Sequence, residues 1–273
     1  MLNTKSLIMV NKKRSPATEA YRMIRTSLLY SKNGQLPQVI IVTSTRTSEG
    51  KTTTASNLAL AFAQTGRKVL LLDGDVRKPS IHQLFGISKL KGLTSLLKNT
   101  STITESVFHI DDYNIDIMPS GPSMSDPTEL LSSSILSEIF NELKEMYQVI
   151  LIDTPPVGVV TDAAMLAPIA DGYVIVVSEG GATVAEFKNA KDHLEKVGAD
   201  ILGVIFNKMG AVLGKDSYYY KYYYNRYYYY GYGSVYGSKN KKKKGLFKDK
   251  KTTPNEETKN SELNKETTKT ENK

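Results

Sequence analysis

The sequence predicts an α/β fold, a mostly parallel sheet with helices on both faces. Two patterns predict it. Short runs of consecutive Val, Ile and Leu recur between residues 38 and 207, and stretches with helical character separate them. Continuous apolar strands alternating with helices are what a parallel sheet covered on both sides requires. Composition agrees: the 273 residues are 40% hydrophobic and 23% charged, enough for a sizeable core in an ordinary globular chain.

The elements follow in order. Residues 1–14 read as a loose basic arm. "SPATEAYRMIRTSLLYSK" reads as a helix with Ser15 as N-cap and Pro16 at its first position. On it Ala17, Ala20, Met23, Ile24 and Leu28 gather on one face and Glu19, Arg22 and Arg25 on the other. "QVIIVTS" (residues 38–44) is a buried-strand pattern. It enters "TRTSEGKTTTASNLALAFAQTG", a loop and then a helix that is apolar nearly all round and ends at Gly66. "KVLLLDGD" and "NIDIMPSG" are the next strands, and Asp126 to Glu129 has capping-box spacing. "YQVILIDTPP", "GYVIVVSEG" and "DILGVIFNK" are further strands, with helical stretches around 161–169 and 183–198. From about Gly210 the apolar pattern stops. One domain over 15–210 is expected, then a tyrosine-cluster tail over 211–237 and a Lys-rich tail over 238–273, both with compositions for disorder.

Absences narrow the chemistry. There is no cysteine, which excludes disulfides, zinc–thiolate sites and a cysteine nucleophile. The three histidines, His82, His109 and His193, show no ligand spacing. The most apolar region, Gly158 to Val177, is interrupted by Asp162, Pro168 and Asp171 and does not read as membrane-spanning. "LIMV" near the start is too short for a signal-peptide core, so cytoplasmic residence is the expectation. The formal charge of +8 points to an acidic partner, although much of the excess lies between Lys239 and Lys251.

"TSTRTSEGKTTT" lies between a strand and a helix, the context of a phosphate-binding loop. Its backbone N–H groups, over Arg46, Thr47, Ser48, Glu49, Gly50, Lys51, Thr52 and Thr53, would favour phosphate oxygens. Lys51 supplies a point charge for the β and γ phosphates and Thr52 a hydroxyl for Mg²⁺. The strict pattern fails at its first glycine, where Thr45 stands, and Ser48 needs a backbone conformation that glycine adopts more easily. "LLLDGDVRKP" ends a strand with Asp73 and Asp75, whose spacing of two puts both carboxylates on one side of an extended chain. "VILIDTPP" ends another with Asp153. Ligands of parallel sheets bind outside the carboxyl ends of the strands, so these groups should converge with the loop on one edge.

Together "SEGKTTT", "LLLDGDVRKP" and "VILIDTPP" resemble the Walker A, Walker A′ and Walker B motifs of the bacterial tyrosine kinases, P-loop NTPases related to the MinD and ParA ATPases. "EAYRMIRTSL" resembles the oligomerisation motif of that family, with Glu19, Arg22 and Arg25 in its three positions. The resemblance implies ATP and Mg²⁺, with Asp75 and Asp153 beside Thr52 at the metal and Asp73 as base for a tyrosine hydroxyl, alongside Lys51. Geometry lets Asp73 and Asp75 exchange roles. Asn207, at the end of the last strand, either reads the adenine edge or forms a turn. Arg46 stands where MinD and ParA proteins carry a signature lysine, which keeps a membrane-associated positioning ATPase as the rival reading, beside a catalytically weak assembly scaffold.

Twelve of the 17 tyrosines lie in Asp216–Gly237: Tyr218, Tyr219, Tyr220, Tyr222, Tyr223, Tyr224, Tyr227, Tyr228, Tyr229, Tyr230, Tyr232 and Tyr236. The resemblance implies that they are phosphate acceptors; composition alone also allows a sticky low-complexity segment or an aromatic stacking platform beside the basic run. A flexible tail of ten to thirty residues spans roughly 17–33 Å, enough to reach its own site or a neighbour's. Without a membrane helix the chain resembles the split, Gram-positive form of the family. That form implies a homo-oligomeric ring, a separate transmembrane activator (a polysaccharide co-polymerase), a protein-tyrosine phosphatase, and a place at the inner face of the membrane in capsule or exopolysaccharide synthesis. Lys239–Lys251 suits an anionic membrane surface. No nucleic-acid partner is expected.

Overall fold

The computed structural model describes residues 6–32, 34–124 and 126–209. The tyrosine cluster, Lys239–Lys251 and the rest of the expected tail lie outside the described residues. In chain order the elements are α1 (Ile8–Asn11), α2 (Pro16–Leu29), β1 (Val39–Ser44), α3 (Lys51–Ala63), β2 (Val69–Asp73), α4 (Ile81–Phe85), α5 (Leu93–Leu97), α6 (Ile103–Ser106), β3 (Phe108–Ile110), β4 (Ile115–Met118), α7 (Thr128–Leu131), α8 (Ser134–Met146), β5 (Val149–Asp153), α9 (Asp162–Met165), β6 (Gly172–Ser178), α10 (Val184–Lys196) and β7 (Ile201–Asn207).

Among the described residues the strands form one seven-stranded sheet in the order β3-β4-β2-β5-β1-β6-β7. All neighbours are parallel except β3 and β4. Every residue of β1, β2, β5 and β6 is buried, as their unbroken apolar runs demand. Two cores result. One face carries Leu93, Phe140, Leu143, Ala163 and Leu194 from the α5, α8, α9 and α10 side. The other carries Leu7, Leu28, Leu58, Phe62 and Phe85 from the side of α1, α2, α3 and α4. Helix α3 is apolar nearly all round because it lies in that second layer, with ten of its residues buried.

Three expectations need correction. The arm over 1–14 is not loose where it is described. Leu7 and Met9 are fully buried, and Asn57 of α3 accepts from the Met9 N–H (3.0 Å) and donates to the Ser6 carbonyl (3.0 Å). Burying two such side chains stabilises by about 1.5–3 kcal/mol each, which outweighs the basic character of their neighbours. On α2, Ser15 caps the Thr18 N–H as expected (3.2 Å), but the packed face is rotated. Thr18, Tyr21, Ile24 and Leu28 face inward, while Met23 is 52% exposed. Arg25 falls on the inward side too, because positions 21, 25 and 28 are helical neighbours, and it donates to the Ala61 carbonyl at 2.8 Å. Lastly, Asp126 and Glu129 form no capping box. Pro127 is the N-cap of α7, and Asp126 instead accepts from the Thr128 N–H and hydroxyl (3.2 and 2.7 Å). No helix among the described residues is long and apolar enough to cross a membrane.

Candidate active site

The phosphate loop runs from the end of β1 into α3. Gly50 takes φ +94° as N-cap of α3 and Ser48 takes φ +62°. Ser48 therefore holds the left-handed conformation that its position demanded, where a side chain is strained and glycine is not. Arg46, Thr47 and Ser48 form the exposed crown of the loop.

Side chains brace this loop from beneath. Glu49 is 1% exposed. Its carboxylate accepts from the Arg46 N–H (2.7 Å) and from the N–H groups of Ser178 and Ala182 (both 3.3 Å), tying the loop to the end of β6. The Asn207 carboxamide donates to the Glu49 carbonyl at 2.9 Å, and a Cβ at Gly50 would sit 2.1 Å from Asn207 Nδ2. Asn207 is thus a clip on the loop, and its oxygen accepts from the Lys208 N–H (2.8 Å). Lys208 Nζ reaches the Ser48 carbonyl at 2.5 Å. Arg46 points away toward α10, where it pairs with Glu186 (Nε at 3.0 Å) and bonds the Gly181 carbonyl.

Lys51, Thr52, Asp73, Asp75 and Asp153 do converge. Lys51 Nζ lies 3.0 Å from Asp75 and 3.5 Å from Asp153. Burial works to lower its pKa, but the carboxylates of Asp153 and Asp75 outweigh that and raise it. The Thr52 hydroxyl donates to Asp153 at 2.6 Å. Asp73 and Asp153 are register partners on β2 and β5 and are both fully buried. Burial first, and then Asp153, push the Asp73 carboxyl up to about 7, although N–H bonds from Ile81 and Ser80 oppose this. Burial likewise pushes Asp153 up to about 6 against the pull of Lys51 and Thr52. The two Asp73 oxygens differ. Oδ2 accepts from Ser80 and Ile81 at the start of α4 (both 2.9 Å), while Oδ1 has only a 3.3 Å bond from Asp75. Asp75, 6% exposed, also accepts from the Lys78 N–H (2.9 Å).

Sequence reasoning missed three supports. Ser80 places its hydroxyl 3.4 Å from that of Thr52. Asp162, 1% exposed, holds Arg77 through two bonds of 2.7 and 2.9 Å, fixing the loop after Asp75. Gly74 donates to the Asp153 carbonyl at 2.7 Å, an approach that a Cβ would obstruct. The glycine in "DGD" was the one available signal for this contact. A separate cleft of about 510 Å³, with His109, Asp116 and Tyr147 in its lining, contains none of the expected site residues.

The donor set fits a hydrated Mg²⁺. Asp153 Oδ1 is buried and makes no hydrogen bond, with Lys51 Nζ 3.5 Å away as its ion-pair partner, while Oδ2 accepts from the Thr52 hydroxyl. No group of three or more His, Cys, Asp or Glu among the described residues is arranged to hold a metal ion.

A mostly parallel sheet with this loop, and a lysine between Asp75 and Asp153 with Asp73 buried at the neighbouring strand end, defines a P-loop nucleotide-binding protein. Comparison with known proteins agrees. Residues 37–189 match the family model described as "AAA domain". The chain is 38% identical over 215 residues to the tyrosine-protein kinase YwqD of Bacillus subtilis, covering 79% of this chain and 90% of that one. Its fold matches the chimerical protein CapA2B2 (TM-score 0.72, 37% identity, 77% and 92% covered). It also matches the kinase domain of the Escherichia coli tyrosine kinase Etk (TM-score 0.71, 29% identity, 74% and 79% covered). The septum site-determining protein MinD of Pyrococcus horikoshii, complexed with Mg-ADP, is more distant (TM-score 0.53, 26% identity, 64% and 71% covered). The chain belongs to the bacterial tyrosine-protein kinase family.

Proposed function

We propose that this chain transfers the γ-phosphoryl group of ATP to tyrosines, chiefly those of its own C-terminal cluster. The observation that carries this is the convergence of Lys51, Asp73, Asp75 and Asp153 at the sheet edge where β7 ends, only eleven positions before the first tyrosine of that cluster. The loop N–H groups and Lys51 hold the β and γ phosphates. Lys51 exchanges its carboxylate partners for phosphate oxygens when ATP enters. Thr52, Asp75 and Asp153 would hold Mg²⁺, which supplies neutralisation of the charge developing on the phosphoryl oxygens. The tyrosine oxygen bonds to the γ-phosphorus, the bond to the β–γ bridging oxygen breaks, and ADP leaves. The phenolic proton passes to Asp73 Oδ1, the oxygen that Ser80 and Ile81 leave available. Asn207 and Glu49 position the loop rather than read the base.

In this reading the protein works as a homo-oligomeric ring, with Glu19 and Arg22 at the subunit contact. It is stimulated by a separate membrane activator, reset by a tyrosine phosphatase, and regulates capsular or exopolysaccharide synthesis at the inner membrane face. Lys239–Lys251 adds attraction to anionic lipid. The names of the relatives and the absence of a spanning helix among the described residues support this arrangement.

The test is incubation of the purified chain with ATP and Mg²⁺, with and without the cytoplasmic segment of the activator, followed by mass spectrometry of the tail. Phosphotyrosine is expected. Phosphate released only to water would indicate a positioning ATPase, and no turnover in either condition a scaffold.

A further inference from the structure

Strand β7 leaves one edge of the sheet open among the described residues. Val204 and Phe206 on it are 48% and 59% exposed. Their register partners, Ile175 and Val177, belong to the core on the α10 side. Asn207 accepts from the Glu179 N–H at 3.0 Å. Main-chain groups alternate in direction along a strand, so Val204 and Phe206 turn theirs away from β6, toward the open side. The strand "ILGVIFN" carries neither charge nor proline, the devices that normally protect an edge from pairing.

We propose that Tyr218–Tyr224 of the same chain covers this edge as an antiparallel strand. The segment has seven residues, like β7. Residues 208–217 connect the two with Gly210, Gly214 and Asp216 available for turning, and Lys208 has already left the strand direction at φ +57°. With side chains alternating, Tyr218, Tyr220, Tyr222 and Tyr224 share one face, suited to lie beside Val204 and Phe206. A segment tethered this closely has an effective concentration in the millimolar range, which favours it over a second copy of the chain.

The consequence for regulation rests on the kinase reading above; the docking itself does not. An antiparallel path carries the docked tyrosines away from the phosphate loop, so docking withholds acceptors from the site. Each added phosphate brings about −1.5 to −2 charges, which an uncharged apolar edge cannot accommodate. A phosphorylated segment therefore stays undocked.

The test is amide hydrogen exchange on the full chain carrying Lys51→Met, so that no self-phosphorylation intervenes. It is compared with the same chain carrying Tyr218→Asp, Tyr220→Asp, Tyr222→Asp and Tyr224→Asp. The Val204 and Phe206 amides should exchange about 10-fold or more faster in the fourfold variant, independently of protein concentration, while the β1 amides stay equally protected. Equal exchange at Val204 and Phe206 would overturn the proposal. So would protection that rises with concentration and survives the substitutions, since a second copy would then be the cover. None of these readings requires phosphoryl transfer, so a failed kinase assay and a failed docking test remain distinguishable.

Discussion

Asp73 and Asp153 stand opposite each other on adjacent parallel strands, both fully buried. Burial raises both carboxyls above the usual carboxylate range, and the neighbouring Asp153 raises Asp73 further. The folded chain therefore holds protons that the unfolded chain releases above about pH 4. The stability these groups contribute is full below that pH and is lost as pH rises through about 6 to 7. In nucleotide-free protein these groups should lower the melting temperature between about pH 4 and pH 7, and Asp73→Asn should flatten that fall. Identical pH slopes by calorimetry would contradict the pairing. Asp73→Asn should also lose transfer more than nucleotide binding, and equal loss of both would move Asp73 to the metal-holding group.

Lys51→Met should remove phosphoryl transfer by about 100-fold or more, because the lysine is the point charge nearest the phosphate position. The fold should persist, since Lys51 lies at the first turn of α3 rather than in its buried stretch. Unchanged ATP turnover in a folded variant, measured by phosphate release, would refute the loop assignment.

Asn207→Ala should raise the KM for ATP several-fold with a smaller effect on kcat, since it removes the clip on Glu49 and leaves Lys51 in place. Gly50→Ala should be more severe, because its methyl would meet Asn207 at a positive φ. The double variant should lose less than the sum of the two, because removing Asn207 relieves that collision. Additive losses would argue against the contact.

Ser48→Gly should stabilise the protein by up to about 1 kcal/mol through relief of the φ +62° conformation, less the entropy glycine adds to the unfolded chain. Ser48→Val should destabilise it. A denaturant titration that finds Ser48→Val as stable as the parent would show that the loop carries no such strain.

Arg22 and Arg25 should separate. Arg25→Ala should cost about 1 kcal/mol of subunit stability through the lost Ala61 bond. Arg22, paired with Glu19 on the surface side of α2, should have little effect on stability when replaced but should shift light-scattering mass toward monomer. Unchanged mass would return the Glu19–Arg22 pair to a plain salt bridge.

Strands β1, β2, β5 and β6 were legible because burial on both faces writes itself as an unbroken apolar run, and β4 and β7 from their apolar character alone, although β4 carries Asp116 and β7 lies at the open edge. Strand β3 was not, since Phe108–Ile110 is three residues long, partly exposed and carries His109 at its centre. The convergence of Lys51 with three aspartates was legible from strand ends alone. The work of Glu49 was not. It depends on backbone N–H groups at Ser178 and Ala182, far along the chain, and no local pattern announces such a meeting. Arg25 escapes a reading of the apolar spacing because the packed stripe of α2 runs through Thr18, Tyr21, Ile24 and Leu28, while Ala20 and Met23 stay outside.

The strand order has a consequence for how the protein is made. Strand β1, which leads into the phosphate loop, pairs only with β5 and β6, each more than a hundred residues downstream. On a ribosome adding about 5–20 residues per second, β1 waits roughly 5–20 s with both edges open before its first partner is translated. Asp153 arrives with that partner, so a nascent chain has neither a closed sheet nor a complete nucleotide site until then. ATP thus cannot template early folding, and a largely apolar strand with two unpaired edges stays exposed for that interval.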